Sequence, residues 1–99
     1  MNLDDYLKLF LTDVQHQKDA LFTNEIRLSR TYANMNGNVN VLNEEEKRFV
    51  VLNEEFNNTC FFLQSKQYRD DVNLANEKIT HIKNVFEEIS DLFQKIEWR

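Results

Sequence analysis

Nine residues near the C-terminal end, Tyr68, Val72, Ala75, Ile79, Ile82, Phe86, Ile89, Phe93 and Ile96, recur at alternating steps of four and three. This spacing holds all nine on one face of a helix, and a face of that length must be covered by other helices. From Ile82 onward Val85 and Leu92 widen it to the breadth of a bundle helix, beyond the narrow seam of a two-stranded coiled coil. One partner helix is therefore not enough. With one glycine and no proline in 99 residues, the chain also lacks the usual residues of hairpin turns and helix breaks, which favours helix throughout.

The rest of the chain supplies the partners. Asn2 with Asp5 three residues later has the form of a helix N-cap with an acid in the first turn. Leu7, Val14, Leu21, Leu28 and Met35 follow every seven residues and predict a first helix from about Leu3 to Met35. Its weak stretch is Gln15-His16-Gln17-Lys18-Asp19, where a kink is expected if there is one. Asn36-Gly37-Asn38 marks its end, with the glycine at the place where a helix C-terminus uses positive φ. Asn43 followed by three glutamates restarts a helix through a capping box with Glu46, and Leu42 precedes the cap as a candidate staple. Phe49, Leu52, Phe56, Cys60 and Leu63 form the inward stripe of this second helix. The phase then slips, so either a break lies within Ser65 to Asp71, with Asp70 or Asp71 as a new N-cap, or the last two helices fuse through a stutter. The expected architecture is a single all-α domain over 1–99, an antiparallel bundle of three long helices at about 3–35, 44–66 and 71–98.

Charge narrows the function. A net charge of −5, spread as 8 acids and 6 bases in residues 1–50 and 9 acids and 6 bases in 51–99, lacks the basic stripe that nucleic acid requires and the acidic concentration of a DNA mimic. Cys60, the only cysteine, cannot form an intramolecular disulfide and lies in the apolar run Cys60-Phe61-Phe62-Leu63, as a buried thiol in a reducing compartment would. The opening Met1-Asn2-Leu3-Asp4-Asp5 is acidic where a secretory signal is basic, and no apolar run approaches ~18 residues. The expectation is a cytoplasmic protein, of a cell or of an infected host cell, with no membrane partner.

Catalytic and metal chemistry find little to build on. His16 and His81 are the only histidines, and Glu77 with His81 makes an exposed pair rather than a metal site. A single glycine excludes a glycine-rich phosphate loop, and apolar neighbours would raise the Cys60 thiol pKa rather than activate it. Asn57-Asn58-Thr59 matches a glycosylation pattern inside a predicted helix, where chance explains it better. No catalytic, cofactor or metal residue is assigned. The residual place for ligand chemistry is a polar waist around Gln17, Lys18, Asn24 and Glu25 inside the bundle.

The second helix carries more apolar surface than one core face uses. Val50 and Phe61 are eleven residues apart, as are Val51 and Phe62, and eleven residues are about three turns, so each pair lies on one side. Such residues either dock a partner or are buried because the helix is central to its own bundle. The functional expectation is a non-enzymatic module that binds another protein through Val50, Val51, Phe61 and Phe62, as a homodimer or in a small hetero-complex. Small chaperones, immunity proteins and inhibitors from phages or mobile elements act this way. The alternative is a structural subunit whose C-terminal stripe extends a coiled coil in a larger assembly.

Overall fold

Five helices begin at five side-chain caps. In the computed structural model, which describes residues 2–99, these are α1 (Leu3–Leu21), α2 (Asn24–Arg27), α3 (Arg30–Met35), α4 (Glu44–Gln64) and α5 (Val72–Lys95), with a 3-10 turn at Val39–Val41. The cap oxygens of Asn2, Thr23, Ser29, Asn43 and Asp71 each accept from the backbone N–H three residues on. Each cap satisfies a donor that the first helical turn would leave unpaired. The capping box of α4 is complete in both directions, with Glu46 N–H donating to Asn43 Oδ1 at 2.9 Å and Asn43 N–H to Glu46 Oε1 at 2.8 Å.

The chain is all-helical, and its long helices α1, α4 and α5 pack together. Contacts fix their directions. Arg48 meets Glu88 at 2.9 Å and Glu55 faces His81 at 3.8 Å, so α4 and α5 are antiparallel. Lys66 reaches Asp4 and Lys18 reaches Asn57, so α1 is antiparallel to α4. Most of the core comes from the two stripes, with Phe86 and Phe93 of the second only partly buried. Phe49, Leu52, Phe56, Cys60 and Leu63 of α4 and Ala75, Ile79, Ile82, Val85 and Ile89 of α5 are buried against Leu7, Leu11 and Val14 of α1. The closest helix pair is α4 with α5, whose Ala75 admits close approach at one end of the hairpin.

The expected helix over 3–35 is instead three helices, and residues 15–19 lie within the first of them without a break. The breaks lie at Phe22-Thr23 and at Leu28-Ser29. Phe22 leaves the helix to bury its ring edge-on against Tyr32, Phe49 and Phe93, with centroids 5.8, 6.0 and 5.9 Å away. Thr23 and Ser29 then cap the short helices that follow, and the Ser29 hydroxyl also donates to the Ile26 carbonyl at 2.6 Å. Leu28, placed inward by the seven-residue repeat, falls at the corner between α2 and α3 and is 86% exposed. Aromatic burial and two local caps outweigh the helical continuity of the pattern.

The tail completes this end. Arg30 N–H donates to the Arg99 carbonyl, the Thr31 hydroxyl to the Glu97 carbonyl at 2.9 Å, and Arg99 N–H to Thr31 Oγ1 at 3.4 Å. Trp98 packs on Phe49 and Phe93 and donates its indole N–H to the Phe93 carbonyl at 3.1 Å. The expected third helix, 71–98, therefore stops at Lys95, and its last residues form a strap across α3.

The opposite end turns through residues 65–71, with Asp71 as the cap of α5. Lys66 N–H donates to the Leu63 carbonyl and Gln67 N–H to the Phe62 carbonyl, the paired bonds of a Schellman ending. Lys66, Arg69 and Asp70 have φ of 57°, 49° and 61°, so the left-handed conformation falls on three residues with a Cβ. Gly37, expected to supply it, lies outside that region, because α3 ends through a right-handed cap at Asn36. Tyr68 is buried as the stripe requires, although it precedes α5, and its hydroxyl donates to Asp4 Oδ1 at 2.8 Å. Val72, the next stripe position, is 53% exposed on the first turn of α5, since Tyr68 closes this end of the core.

Two substitutions separate these turns. A Cβ at Gly37 meets only the Ala33 carbonyl at 3.5 Å, so Gly37→Ala raises stability by about 0.4–1 kcal/mol through the unfolded chain. Lys66→Gly removes left-handed strain of about 1–2 kcal/mol, less the entropy glycine loses on folding. Its thermal midpoint rises by several degrees. Equal or lower midpoints in calorimetry for both would contradict this assignment of the turns.

Candidate functional site

Helix α4 is amphipathic in two senses, apolar toward the core and partly apolar away from it. Among its outward residues Phe61 is 62% and Val51 45% exposed. Val50 and Phe62 are half-buried and rest against the core. Val50 borders a small crevice of about 120 Å³ with Phe22, Tyr32, Met35 and Asn53, where the Asn53 Oδ1 is buried without a hydrogen-bond partner. Phe62 lies under the Lys78 ammonium, 5.1 Å from its ring centroid. The four residues assigned from the sequence thus lie on one helix but divide into two exposed and two half-covered side chains. Glu54 and Asn58 stand exposed between them.

Further exposed apolar side chains are Tyr6 and Leu9 on α1, Leu28, Val39 and Val41 in the α2 to α4 connection, and Val72. No periodic signal separates Leu28 or Val72 from core positions. The only local hint for Leu28 is Ser29, a capping residue inside a helical pattern.

A polar cleft of about 530 Å³ lies between α3, the start of α4 and the tail, lined by Arg30, Asn34, Asn43, Lys95 and Arg99 among others. Its carboxylates are committed. Glu46 belongs to the capping box and Glu97 holds Arg99 at 2.7 Å, which raises the guanidinium pKa further. No sequence pattern marks the cleft, because one wall is the tail, which the α5 stripe continues as helix.

The titratable groups are arranged for packing. Burial pushes the Cys60 thiol up to about 11, which keeps it protonated at neutral pH despite the nearby Lys18. Burial lowers the Lys18 pKa, and its amine donates to Asn57 Oδ1 at 2.7 Å while lying 4.7 Å above the Phe56 ring. Gln17, Asn24 and Glu25, expected with Lys18 as an internal polar waist, are exposed. His81 faces Glu55 across the hairpin rather than pairing with Glu77 along α5. Among the described residues no group of three or more His, Cys, Asp or Glu side chains could hold a metal ion, and no helix is long and apolar enough to cross a membrane. The stripe of α5, which a coiled-coil scaffold would present to a neighbour, is mostly inside this chain's own core.

Two measurements test the electrostatics. The Tyr68 hydroxyl, with Lys66 second, holds the Asp4 carboxyl below its ordinary 3.8. A depressed pKa contributes stability above the ordinary value and loses it as the pH falls through the folded value. Tyr68→Phe is therefore less heat-stable than the wild type at pH 7, and the two midpoints converge below pH 3.8. For Cys60 the folded state holds its proton longer than the unfolded state, so stability declines as the pH rises from 9.0 toward about 11. Alkylation near neutral pH is slow in the native protein and fast in denaturing urea. A native rate equal to the unfolded one would show an accessible thiolate.

Comparison with protein-family models, with curated proteins and with solved structures finds no match to this chain.

Proposed function

We propose that this protein is a non-enzymatic interaction module that acts in the cytoplasm by binding another protein through the outward face of α4. One observation carries the reading: Phe61 is 62% exposed on a long helix whose other face is already fully used by the core. Burying a phenylalanine side chain contributes about 1.5–3 kcal/mol, and here most of that remains available to a partner. Val51 adds exposed apolar surface on the same face, and Val50 and Phe62 widen it at their half-covered edges. The supporting frame is read as a three-helix bundle of α1, α4 and α5, rigid enough to present this face without reordering. Small chaperones, immunity proteins and inhibitors from mobile elements fit this mode of action. The scaffold reading draws less support, because it needs the α5 stripe outside.

The test is affinity capture from extracts of the source cells with wild type and with the double variant Val51→Asp/Phe61→Asp, followed by hydrogen exchange on the recovered complex. Both sites are exposed, so the variant should melt within ~0.5 kcal/mol of wild type per site. The expected result is a partner held by wild type, lost with the variant, and protecting α4. A partner held equally by both proteins would remove α4 from the reading.

A further inference from the structure

Given the reading of α4 as a docking surface, we infer that this face fits a second copy of the chain, packed antiparallel about a two-fold axis level with Phe56. Val50 and Phe61 form one row along the outward face and Val51 and Phe62 form another, each pair separated by three turns. A two-fold axis perpendicular to α4 keeps each row on its own side and reverses its direction. Val50 then falls opposite Phe61 of the second copy, and Val51 opposite Phe62, so a small side chain meets a large one four times. Alternation of small and large side chains is what lets facing helices interdigitate.

The polar residues between the rows obey the same symmetry. Glu54 comes level with Asn58 of the second copy, an amide that can donate to a carboxylate, and Lys47 comes level with Ser65. Parallel packing would instead set Glu54 on Glu54 and Lys47 on Lys47 and put valine against valine. In the antiparallel register the two Glu54 side chains are offset by about 6 Å along the helix and the two Lys47 lie far apart, so like-charge repulsion is weaker there than in the parallel arrangement. The complementarity therefore favours the antiparallel orientation, with small side chains opposite large ones in the register level with Phe56.

The strength follows from length. The 21 residues of α4 span ~30 Å, and one helix against another over this distance covers less than the ~800 Å² per partner of a standard interface. The dimer is a weak one, dissociating at roughly micromolar concentration or above.

Disulfide trapping reads the register directly. Glu54→Cys and Asn58→Cys, both exposed positions, are mixed in equal amounts in a glutathione redox buffer, with Cys60 left in place because it is buried. The expected product is the mixed 54–58 disulfide in roughly tenfold excess over either homodisulfide. In sedimentation equilibrium Phe61→Asp weakens the dimer at least about tenfold, while Leu9→Asp, at an exposed apolar site on α1, leaves it unchanged. Homodisulfides in excess, or a statistical mixture, would overturn the antiparallel register. A wild-type monomer up to about 1 mM would overturn the second copy as occupant. That last result leaves the hetero-partner reading standing, which fails separately if a captured protein persists on Val51→Asp/Phe61→Asp.

Discussion

The burial of Phe22 organises one whole end of the molecule. Its ring sits edge-on to Tyr32 of α3, Phe49 of α4 and Phe93 of α5, and Trp98 of the tail closes over the last two. Side chains from the end of α1, from α3, α4 and α5 and from the tail meet there, and edge-to-face geometry makes the aromatic cluster directional as well as apolar. For the ring to enter, α1 must end at Leu21, which forces the chain into the two capped turns of α2 and α3. Those turns put Arg30 and Thr31 where they can bind the backbone of Glu97 and Arg99. Helix breakage, the short helices and the strap are thus one linked event.

The other end is held by different chemistry. Tyr68 closes the core with its ring and ties the connection to α1 through Asp4, beside Lys66 on the same carboxylate. The connection reaches this position through three left-handed residues, none of them glycine. Such conformations persist only where the surroundings over-determine them. Here the Schellman bonds at Lys66 and Gln67, the buried Tyr68 and the Asp71 cap supply that constraint. Between the two ends, α4 and α5 carry a core of aliphatic residues around Phe56 with little polar interruption.

Several features decided within one or two turns of chain could be read from the sequence. The Asn43–Glu46 capping box, the Asn2 cap, a break before α5 capped by Asp70 or Asp71, and the inward stripe from Phe49 to Leu63 are all local patterns, and the structure puts the α5 cap at Asp71. The break at Phe22 was not legible, because its reason lies in Phe49, Phe93 and Tyr32, brought near only by folding. Leu28 fits the seven-residue repeat as well as Val14 does, and besides the neighbouring Ser29 cap only tertiary packing separates them. Gly37 misled because glycine permits positive φ without requiring it. For the candidate site, the crowding of apolar residues on α4 announced that some must face outward. Which of the four are half-covered depends on Lys78 and on the α3 wall near Val50, neither of which the pattern contains.

The two long helices of the hairpin use their apolar residues differently, and this bears on function. On α5 the stripe residues Ala75, Ile82 and Ile89 are wholly buried, so substituting them would disturb fold and surface together. On α4 the inward residues make most of the core contact, each large side chain contributing about 1.5–3 kcal/mol, Val50 and Phe62 rest on its edge, and the exposed Val51 and Phe61 add little to it. Under the proposed docking role, Val51 and Phe61 could therefore change at small cost to folding. The hairpin also holds Val51 and Phe61 on a formed helix, which for the proposed docking would lessen the ordering entropy that opposes binding. A helix specified so fully on one face is free to carry a second pattern on the other, and the exposed phenylalanine is where that second pattern becomes visible.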